Sequence, residues 1–389
     1  MSAEGVSAEV RFLSSLSQVD AAAWNRIAGT DYPFLRHEFL LALEQTGCTD
    51  ADSGWQPYHA TLHRDGQLVA LMPLYLKSHS YGEYVFDWSW ADAYHRNGRE
   101  YYPKMLTAVP FTPATGPRIC WAEGEIAEDC IATLSAAVQQ LARKQGLSSW
   151  HVLFPDTDMA KALVAAGATQ RQGSQFHWFN NGYETFDDFL ATFNSRKRKS
   201  LRRERRRVEE QGITLQTLEG DAITPEHWTE FYRFYQMTYA KRSGHGGYLT
   251  RDFFTRLGEE LSEHCVLVRA SVNGEAVAGS LCFRSSDTLY GRYWGCVREL
   301  DCLHFEACYY QGIDYCIEHG LKRFDPGAQG EHKIQRGFTP IPTLSTHWIA
   351  DPMFAQAIAD FTEREREHID AYIDEASTLL PFKAEQSPD

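Results

Sequence analysis

Side chains that can transfer protons or bind anions are concentrated near the carboxyl end of this sequence. They are Asp325, Glu331, His332, Lys333 and Arg336. A histidine with an ordinary pKa of about 6.5 is mostly neutral at pH 7 and can accept a proton. Neighbouring carboxylates can orient such a histidine or act as the base themselves. The sequence therefore predicts His332, Asp325 and Glu331 as candidate catalytic residues and leaves open which of them is the base.

This segment begins where a predicted strand ends. Residues 321–324 form a short apolar run, and Pro326 with Gly327 would terminate a strand there. Ligands of open α/β sheets collect at the carboxyl ends of the strands, so the segment is expected at a binding cleft. The alternative is a polar helix that caps a sheet.

Further candidates for binding a substrate lie on neighbouring elements and in the first half of the chain. Arg292 belongs to the predicted strand 289–294, and His304 and Glu306 lie at the start of the helix that follows it. Two are cations in residues 99–118, an aromatic, proline-rich segment that can hold an anionic ligand or simply cover a core. The predicted substrate-binding residues are Lys333, Arg336, Arg292, His304, Glu306, Lys104 and Arg118.

Composition narrows the class of protein. The 389 residues are 43% hydrophobic and 13% aromatic, which is a globular composition, and a formal net charge of -14 disfavours general nucleic-acid binding. The nine cysteines include no CxxC pair, so neither a disulfide framework nor a metal site is predicted. Residues 1–9 lack the features of a secretory signal, and no apolar run is long enough to span a membrane. A cytoplasmic protein is the expectation.

The spacing of apolar residues predicts a mixed α/β protein. Asp65-Gly66 and Asn273-Gly274 each separate two apolar runs, a strong signal for a β-hairpin. The other main predicted elements are strands at 84–90, 149–154, 174–179 and 321–324, and helices at 126–144, 158–166 and 305–317.

The two halves of the sequence resemble each other at an offset of 170 residues, which indicates two copies of one α/β unit. The polar residues around His332 align with the mostly apolar segment 161–166 of the first half, so the second copy is the predicted catalytic one. We therefore predict a degenerate first domain, residues 1–182, and a second domain, residues 183–389, that holds the active site. The identical pairs are Phe154 and Phe324, Gly167 and Gly337, His177 and His347, and Trp178 and Trp348.

A strongly basic helix is predicted at residues 194–210, where nine arginines and lysines lie within a few turns. Such a surface can bind the phosphates of tRNA or of an anionic lipid. The alternative is a solvated helix whose charge is partly neutralised by neighbouring acids. The predicted polyanion-binding residues are Arg202, Arg203, Arg205 and Arg206.

Several longer motifs make the chain similar to the bacterial FemAB-like family over nearly its whole length. That family resembles the Fem peptidoglycan aminoacyltransferases, so the resemblance implies tandem GNAT-like acyltransferase domains, each a mixed, mostly antiparallel sheet flanked by helices. The motifs are Tyr81-Gly82-Glu83-Tyr84-Val85-Phe86-Asp87, Tyr101-Tyr102-Pro103-Lys104, Pro110-Phe111-Thr112-Pro113, Asn194-Ser195-Arg196-Lys197-Arg198-Lys199 and Gly327-Ala328-Gln329-Gly330-Glu331-His332-Lys333.

The resemblance implies N-acyl or aminoacyl transfer to an amine on a small-molecule, peptidoglycan-precursor or peptide acceptor. The acyl donor stays open between acyl-CoA and aminoacyl-tRNA, because residues 295–304 lack the glycine-rich loop with which GNAT enzymes hold the pyrophosphate of coenzyme A. The alternative function is a non-catalytic module that recognises a peptidoglycan precursor or an anionic metabolite.

Overall fold

The computed structural model describes residues 8–244, 246–328 and 330–383. Its strands are β1 Ala8–Leu13, β2 Trp55–Pro57, β3 His59–Arg64, β4 Gln67–Met72, β5 Tyr75–Lys77, β6 Lys104–Thr107, β7 Cys120–Trp121, β8 Ser149–Leu153, β9 Thr169–Phe179, β10 Ile213–Glu219, β11 Cys265–Val272, β12 Glu275–Arg284, β13 Thr288–Cys296, β14 Arg323–Asp325 and β15 Thr339–Ile349.

The helices are α1 Ala21–Ala28, α2 His37–Gln45, α3 Trp88–Arg96, α4 Ala127–Gln145, α5 Thr157–Ala165, α6 Phe186–Ala191, α7 Ser195–Glu210, α8 Pro225–Ser243, α9 Arg251–Glu260, α10 Leu303–Phe305, α11 Gln311–Glu318 and α12 Pro352–Thr378. A π-helix, Glu306–Tyr310, joins α10 to α11. Short 3-10 helices occupy Leu16–Gln18, Pro33–Leu35, Gly220–Ala222, Ser262–His264 and Glu331–Arg336. Among the described residues, no helix combines the length and the apolar composition that a membrane span requires.

The chain divides into two compact units, each built from two segments of sequence. The first unit comprises 1–173 and 342–370, and the second comprises 174–341 and 371–389. This division differs from the predicted boundary after residue 182, because β9, β15 and α12 each contribute residues to both units. The end of β15 pairs with β8 in the first unit, whereas the end of β9 pairs with β14 in the second.

The first unit contains a four-stranded sheet with the order β1-β3-β4-β7, and a second set of strands with the order β15-β8-β6-β5-β2. All of these pairs are antiparallel except β6 with β8. Helix α4 buries one face, which includes Leu134 and Val138, in the core of this unit, and it ends at Gly146 in the left-handed conformation.

The second unit has the strand order β10-β11-β12-β13-β14-β9, in which only β13 and β14 are parallel. Aromatic residues dominate its core, where Trp178, Phe189 and Phe324 are completely buried. Mostly antiparallel sheets flanked by helices confirm the predicted α/β class.

Both predicted hairpins are confirmed. Asp65 and Gly66 join β3 to β4, and Asn273 and Gly274 join β11 to β12. All four residues have positive φ angles, between 49° and 84°, as a two-residue hairpin of the favoured twist requires. The predicted strand at 84–90 is wrong, since α3 begins at Trp88.

The order of elements also agrees with an internal repeat. Strands β9 and β15 begin and end at residues separated by the same offset of 170 that aligns the sequence pairs. Before them, the first copy has β8 and α5, and the second has β14 and the 3-10 helix Glu331–Arg336. Superposition of the two copies stays a prediction.

The parallel strands of the second unit separate where the predicted site lies. Strand β13 pairs with β14 only from Thr288 to Tyr290, opposite Arg323 to Asp325. Strand β13 then continues to Cys296, while the chain after Asp325 turns away through Pro326 and Gly327. The separation opens a space at the carboxyl ends of two parallel strands, where ligands of α/β sheets bind.

Helix α8 packs closely on β13 because Gly295 has no side chain. A Cβ atom at this position would lie 2.1 Å from the carbonyl carbon of Phe234 and 2.4 Å from the amide nitrogen of Tyr235. We expect Gly295→Ala to lower the free energy of unfolding by about 1–3 kcal/mol, because the helix backbone must move. Urea denaturation measures this change, and a variant as stable as the parent would show that α8 can shift without cost.

Candidate active site

Asp325 ends β14 and is completely buried. Its carboxylate accepts two hydrogen bonds from the guanidinium of Arg292 on β13, at 2.6 and 3.1 Å, and a third from the amide of Gly327 at 2.9 Å. Burial acts to raise the pKa of Asp325, but the charges of Arg292 and His177 and the hydrogen bonds from Arg292 and Gly327 together outweigh it and hold the pKa well below its ordinary value. Asp325 is therefore a permanently charged partner of Arg292, which argues against it as the base.

His332 lies on the exposed surface of the 3-10 helix Glu331–Arg336. Its Nε2 atom is 2.8 Å from the hydroxyl of Tyr309, and its ring also contacts Phe305. Partial burial, reinforced by the positive charges of Arg336 and Lys333, lowers the pKa of His332 below its ordinary value. The imidazole is thus neutral at pH 7, as a general base must be.

Two cations of the segment have internal partners that fix its backbone. The buried ammonium of Lys333 donates to the carbonyl of Gly327 at 2.7 Å, and burial lowers the pKa of Lys333 to about 8. Arg336 donates to the carbonyl of His332 at 2.8 Å and to Glu204 at 2.9 Å, and its guanidinium stacks on Phe305. The two side chains hold the loop around His332 in place.

A cavity of about 410 Å³ lies between the separated ends of β13 and β14. Arg242, Arg292 and Lys333 line it together with His332, and none of its described lining residues is a carboxylate. The loop after β14 and the π-helix complete its walls. The other lining residues are Ser280, Gly291, Tyr293, Trp294, His304, Cys308, Tyr309, Pro326, Ala328 and Gly330.

His304 and Glu306, predicted to face the same cleft, are separated by the structure. The ring of His304 lines the cavity beside Trp294, and burial lowers the pKa of His304 to about 4, so it carries no charge at neutral pH. The buried carboxylate of Glu306 does not line the cavity. It accepts hydrogen bonds from Arg205 at 3.0 Å and Gln311 at 2.8 Å, which makes it a structural partner of α7 rather than a substrate ligand.

Lys104 and Arg118 lie in the first unit, where neither presents a free charge to a ligand. Lys104 is buried and forms ion pairs with Glu83 at 2.8 Å and Asp87 at 2.5 Å. Arg118 is also buried and donates to three backbone carbonyls, including that of Leu153 at 2.7 Å. Both residues therefore have internal partners, through which they stabilise the proline-rich segment, and a substrate-binding role for them stays a prediction.

Sequence reasoning missed Tyr309, the hydrogen-bond partner of His332. It lies within the predicted helix 305–317, for which regular helical spacing was expected. The one-turn π-helix Glu306–Tyr310 changes that spacing, and π-turns of this kind are often found at functional sites. The adjacent Tyr310 donates to Glu204 of α7 at 2.5 Å, a long-range contact that no local pattern encodes.

The four predicted polyanion-binding arginines of α7 divide into two groups. Arg202 pairs with Asp187 at 2.7 Å, and Arg205 pairs with Glu306 and with Asp314. Arg203 and Arg206 are exposed and form no ion pair with any described residue. With Arg196 and Lys199, they form an outer stripe at helical spacing, defined by Arg196, Lys199, Arg203 and Arg206.

Two such α/β units, each with a mostly antiparallel sheet flanked by helices, define a tandem GNAT-type fold. The chain belongs to the FemAB-like family, whose model is described as peptidoglycan biosynthesis/recognition and matches residues 15–384. This confirms the resemblance on which the fold was predicted. Comparison with curated proteins gives no match.

Solved structures with the same fold have little sequence identity to the chain. FemX is 12% identical with a TM-score of 0.53, and the match covers 90% of this chain and 100% of FemX. The C-terminal domain of a putative lysylphosphatidylglycerol synthetase from Agrobacterium fabrum is 10% identical with a TM-score of 0.54, covering 90% and 97%. L-PGS from Bacillus licheniformis is 11% identical with a TM-score of 0.50, covering 89% and 97%.

Proposed function

We propose that this protein transfers an acyl or aminoacyl group to an amine of a small-molecule, peptidoglycan-precursor or peptide acceptor. The observation that carries the proposal is the position of His332, a neutral imidazole at the edge of a cationic cavity between separated parallel strands. Membership of the FemAB-like family supports the same class of reaction.

In the proposed step, the amine nitrogen attacks the carbonyl carbon of an activated acyl ester or thioester. A C–N bond forms, and the bond from the carbonyl carbon to the leaving oxygen or sulfur breaks. His332 accepts the proton that the nitrogen loses and returns it to the leaving group, so the imidazole ends neutral. Tyr309 accepts a hydrogen bond from Nε2–H in the tautomer that leaves the Nδ1 lone pair available for this proton.

The cations of the cavity stabilise the negative charge that develops on the carbonyl oxygen during attack. Arg292 is suited to this role because Asp325 fixes its guanidinium, and a fixed charge needs no reorganisation during the reaction. Lys333 keeps the loop of residues 326–328 in position beside it. These are supporting roles for side chains predicted to bind substrate directly.

The donor enters, we propose, through an adjoining cavity of about 640 Å³ that shares Arg242, Trp294 and His304 with the first. Arg242 and Arg298 line it without an ion-pair partner among the described residues, so they are available to a phosphate-bearing donor. No glycine-rich cradle is present in residues 295–304. The side chains of Arg242 and Arg298 would therefore bind the phosphates of the donor, which is compatible with either acyl-CoA or aminoacyl-tRNA.

A direct test combines untargeted metabolite profiling of a deletion strain with assays of the purified protein. The protein is incubated with acetyl-CoA or with charged tRNA and a panel of amines, and amide products are sought by intact-mass analysis. An acylated product that requires the protein and is missing from the deletion strain supports the proposal. A copurifying ligand that is bound but never modified favours the binding module instead.

We also propose that the outer stripe of α7 contacts a polyanion, with tRNA or an anionic lipid as the candidates. Replacing Arg196, Lys199, Arg203 and Arg206 by Gln is expected to weaken binding of tRNA or anionic vesicles. The log–log salt dependence is expected to flatten by about one unit for each phosphate that the variant no longer neutralises. Filter binding and vesicle sedimentation across a salt series measure both quantities.

The matched control is Arg202→Gln, which removes a cation that Asp187 already neutralises. It is expected to change affinity and salt slope less than any single substitution in the outer stripe. If the fourfold variant and the parent have equal affinity and equal salt dependence, α7 is a solvated helix and the proposed polyanion contact is wrong.

A further inference from the structure

His332 lines a second cavity, of about 400 Å³, in addition to the cationic cavity between β13 and β14. His332 is the one described residue that lines both cavities. A base positioned between two cavities can exchange a proton with a group held in either of them. The residues that line the second cavity are Glu331, His332, Ile334, Gln335, Tyr372, Glu375, Ala376 and Leu379.

The two cavities have opposite charge. Arg242, Lys333 and Arg292, whose charge Asp325 balances, line the first cavity, and none of its described lining residues is a carboxylate. The second is lined by the carboxylates of Glu331 and Glu375, and its described lining residues include no lysine or arginine. A cavity of this kind attracts a cation, whereas the first attracts an anion.

The carboxylates are presented on fixed elements. Tyr372 of α12 donates to Glu331 at 2.9 Å, which holds that carboxylate in the wall of the second cavity. Glu375 lies one turn after Tyr372 on the same helix, and its carboxylate forms no ion pair with any described residue. Ile334, Ala376 and Leu379 add an apolar surface to the same cavity.

We infer that this second cavity binds the acceptor, as a primary ammonium carried on an aliphatic stem. The inference rests on the proposed acyl transfer and adds the chemical class of the acceptor. A primary amine has an ordinary pKa of about 10 and is a cation at pH 7, so Glu331 and Glu375 recognise it in its charged form. Its apolar stem packs on Ile334 and Leu379, and its nitrogen reaches His332.

This assignment gives Glu331 an acceptor-binding role. Loss of one proton from the bound ammonium, to solvent, produces the free amine that attacks a donor in the cationic cavity. The second proton, released on attack, passes to His332 and then to the leaving group. The anionic donor thus reaches His332 from the cationic cavity, and the cationic acceptor reaches it from the second cavity. The charge of each cavity disfavours binding of the other ligand.

The test uses n-pentylamine as a probe and n-pentanol as its uncharged counterpart, with no donor present. Binding is followed through the imidazole resonances of the full-length protein labelled with ¹⁵N-histidine, and the His332 signal is assigned by its absence in His332→Gln. We expect n-pentylamine to shift the His332 signal saturably. We expect n-pentanol to bind at least about tenfold more weakly, because it carries no charge.

Glu375→Gln alone, and together with Glu331→Gln, measures the contribution of the carboxylates. The double variant is expected to bind n-pentylamine about tenfold more weakly, and the single variant to lie between it and the parent. Asp374→Asn is the matched control, since Asp374 is an exposed acid next to Glu375 that does not line the cavity. It is expected to leave the affinity unchanged.

Equal binding of n-pentanol and n-pentylamine, or a double variant that binds as tightly as the parent, would overturn the acceptor site. So would saturable shifts of other histidines with His332 unaffected. Because no donor is present, the result is independent of catalysis. A bound amine that no donor acylates would count against acyl transfer and leave the amine site standing.

Discussion

Replacement of His332 by alanine is expected to lower the rate of amide formation by about 100-fold or more. In the proposed mechanism, the proton of the attacking nitrogen passes through the neutral imidazole, and alanine offers no substitute. The melting temperature is expected to change little, because the side chain is exposed and contributes little packing. Initial rates with a saturating donor and acceptor, together with thermal denaturation, separate these two effects.

Lys161→Ala provides the control for this experiment. Lys161 occupies the corresponding region of the first copy, and its one ion-pair partner among the described residues is the exposed Asp158, so its loss is expected to leave the rate unchanged. A fully active His332→Ala protein would remove His332 from the mechanism. The base role would then pass to Glu331, since the carboxylate of Asp325 is committed to Arg292.

Asp325→Asn is expected to cost about 3 kcal/mol or more in the free energy of unfolding. The substitution removes the charge that balances the buried guanidinium of Arg292. Urea denaturation of the variant and the parent at pH 7 measures the difference. The exposed acid Asp158, changed to Asn, is the control and is expected to alter stability by less than about 0.5 kcal/mol.

The same ion pair predicts how the free energy of unfolding depends on pH in acid. Because the pKa of Asp325 is lowered in the folded protein, its contribution to stability is complete above the ordinary carboxyl pKa of about 4 and is lost as the pH falls towards the folded value. The stability difference between parent and Asp325→Asn should therefore narrow below pH 4. A variant as stable as the parent at pH 7 would contradict the description of Arg292 as a buried, balanced charge.

Helix α7 is a structural part of the site as well as a charged surface. Glu204 accepts hydrogen bonds from both Tyr310 and Arg336, and Arg205 holds Glu306 at the start of the π-helix. These contacts fix the two segments that bring Tyr309 and His332 together. The arginine run therefore combines residues that build the site with others that remain available to a ligand.

Local sequence signals predicted the parts of the fold that local physics determines. Asp65-Gly66 and Asn273-Gly274 marked their hairpins because few residues accept two successive positive φ angles. Pro326 and Gly327 marked the end of β14 for a similar reason. The strand predicted at 84–90 was wrong. Its aromatic residues alternate as in a strand, but Lys104 forms ion pairs with Glu83 and Asp87 and holds both carboxylates inward.

The composition of the site was predictable, but the roles of its residues were not. The cluster around His332 was evident from its residue types, and the apolar character of the aligned segment in the first copy supported it. Charge alone does not reveal whether a cation faces a ligand or a partner. Lys104, Arg118 and Arg205 each have partners distant in sequence, and the burial that decides their role arises only in the folded chain.

The pH dependence of amide formation by the parent and by His332→Ala tests the role of His332 as the general base most directly. A general base acts only when unprotonated, so the rate of the parent should rise with pH through the pKa of His332. Since that pKa is lowered, the midpoint of the rise should lie below about 6.5. We expect His332→Ala to lose both the rate and this inflection; an inflection that persists unchanged in the variant would contradict a base role for His332.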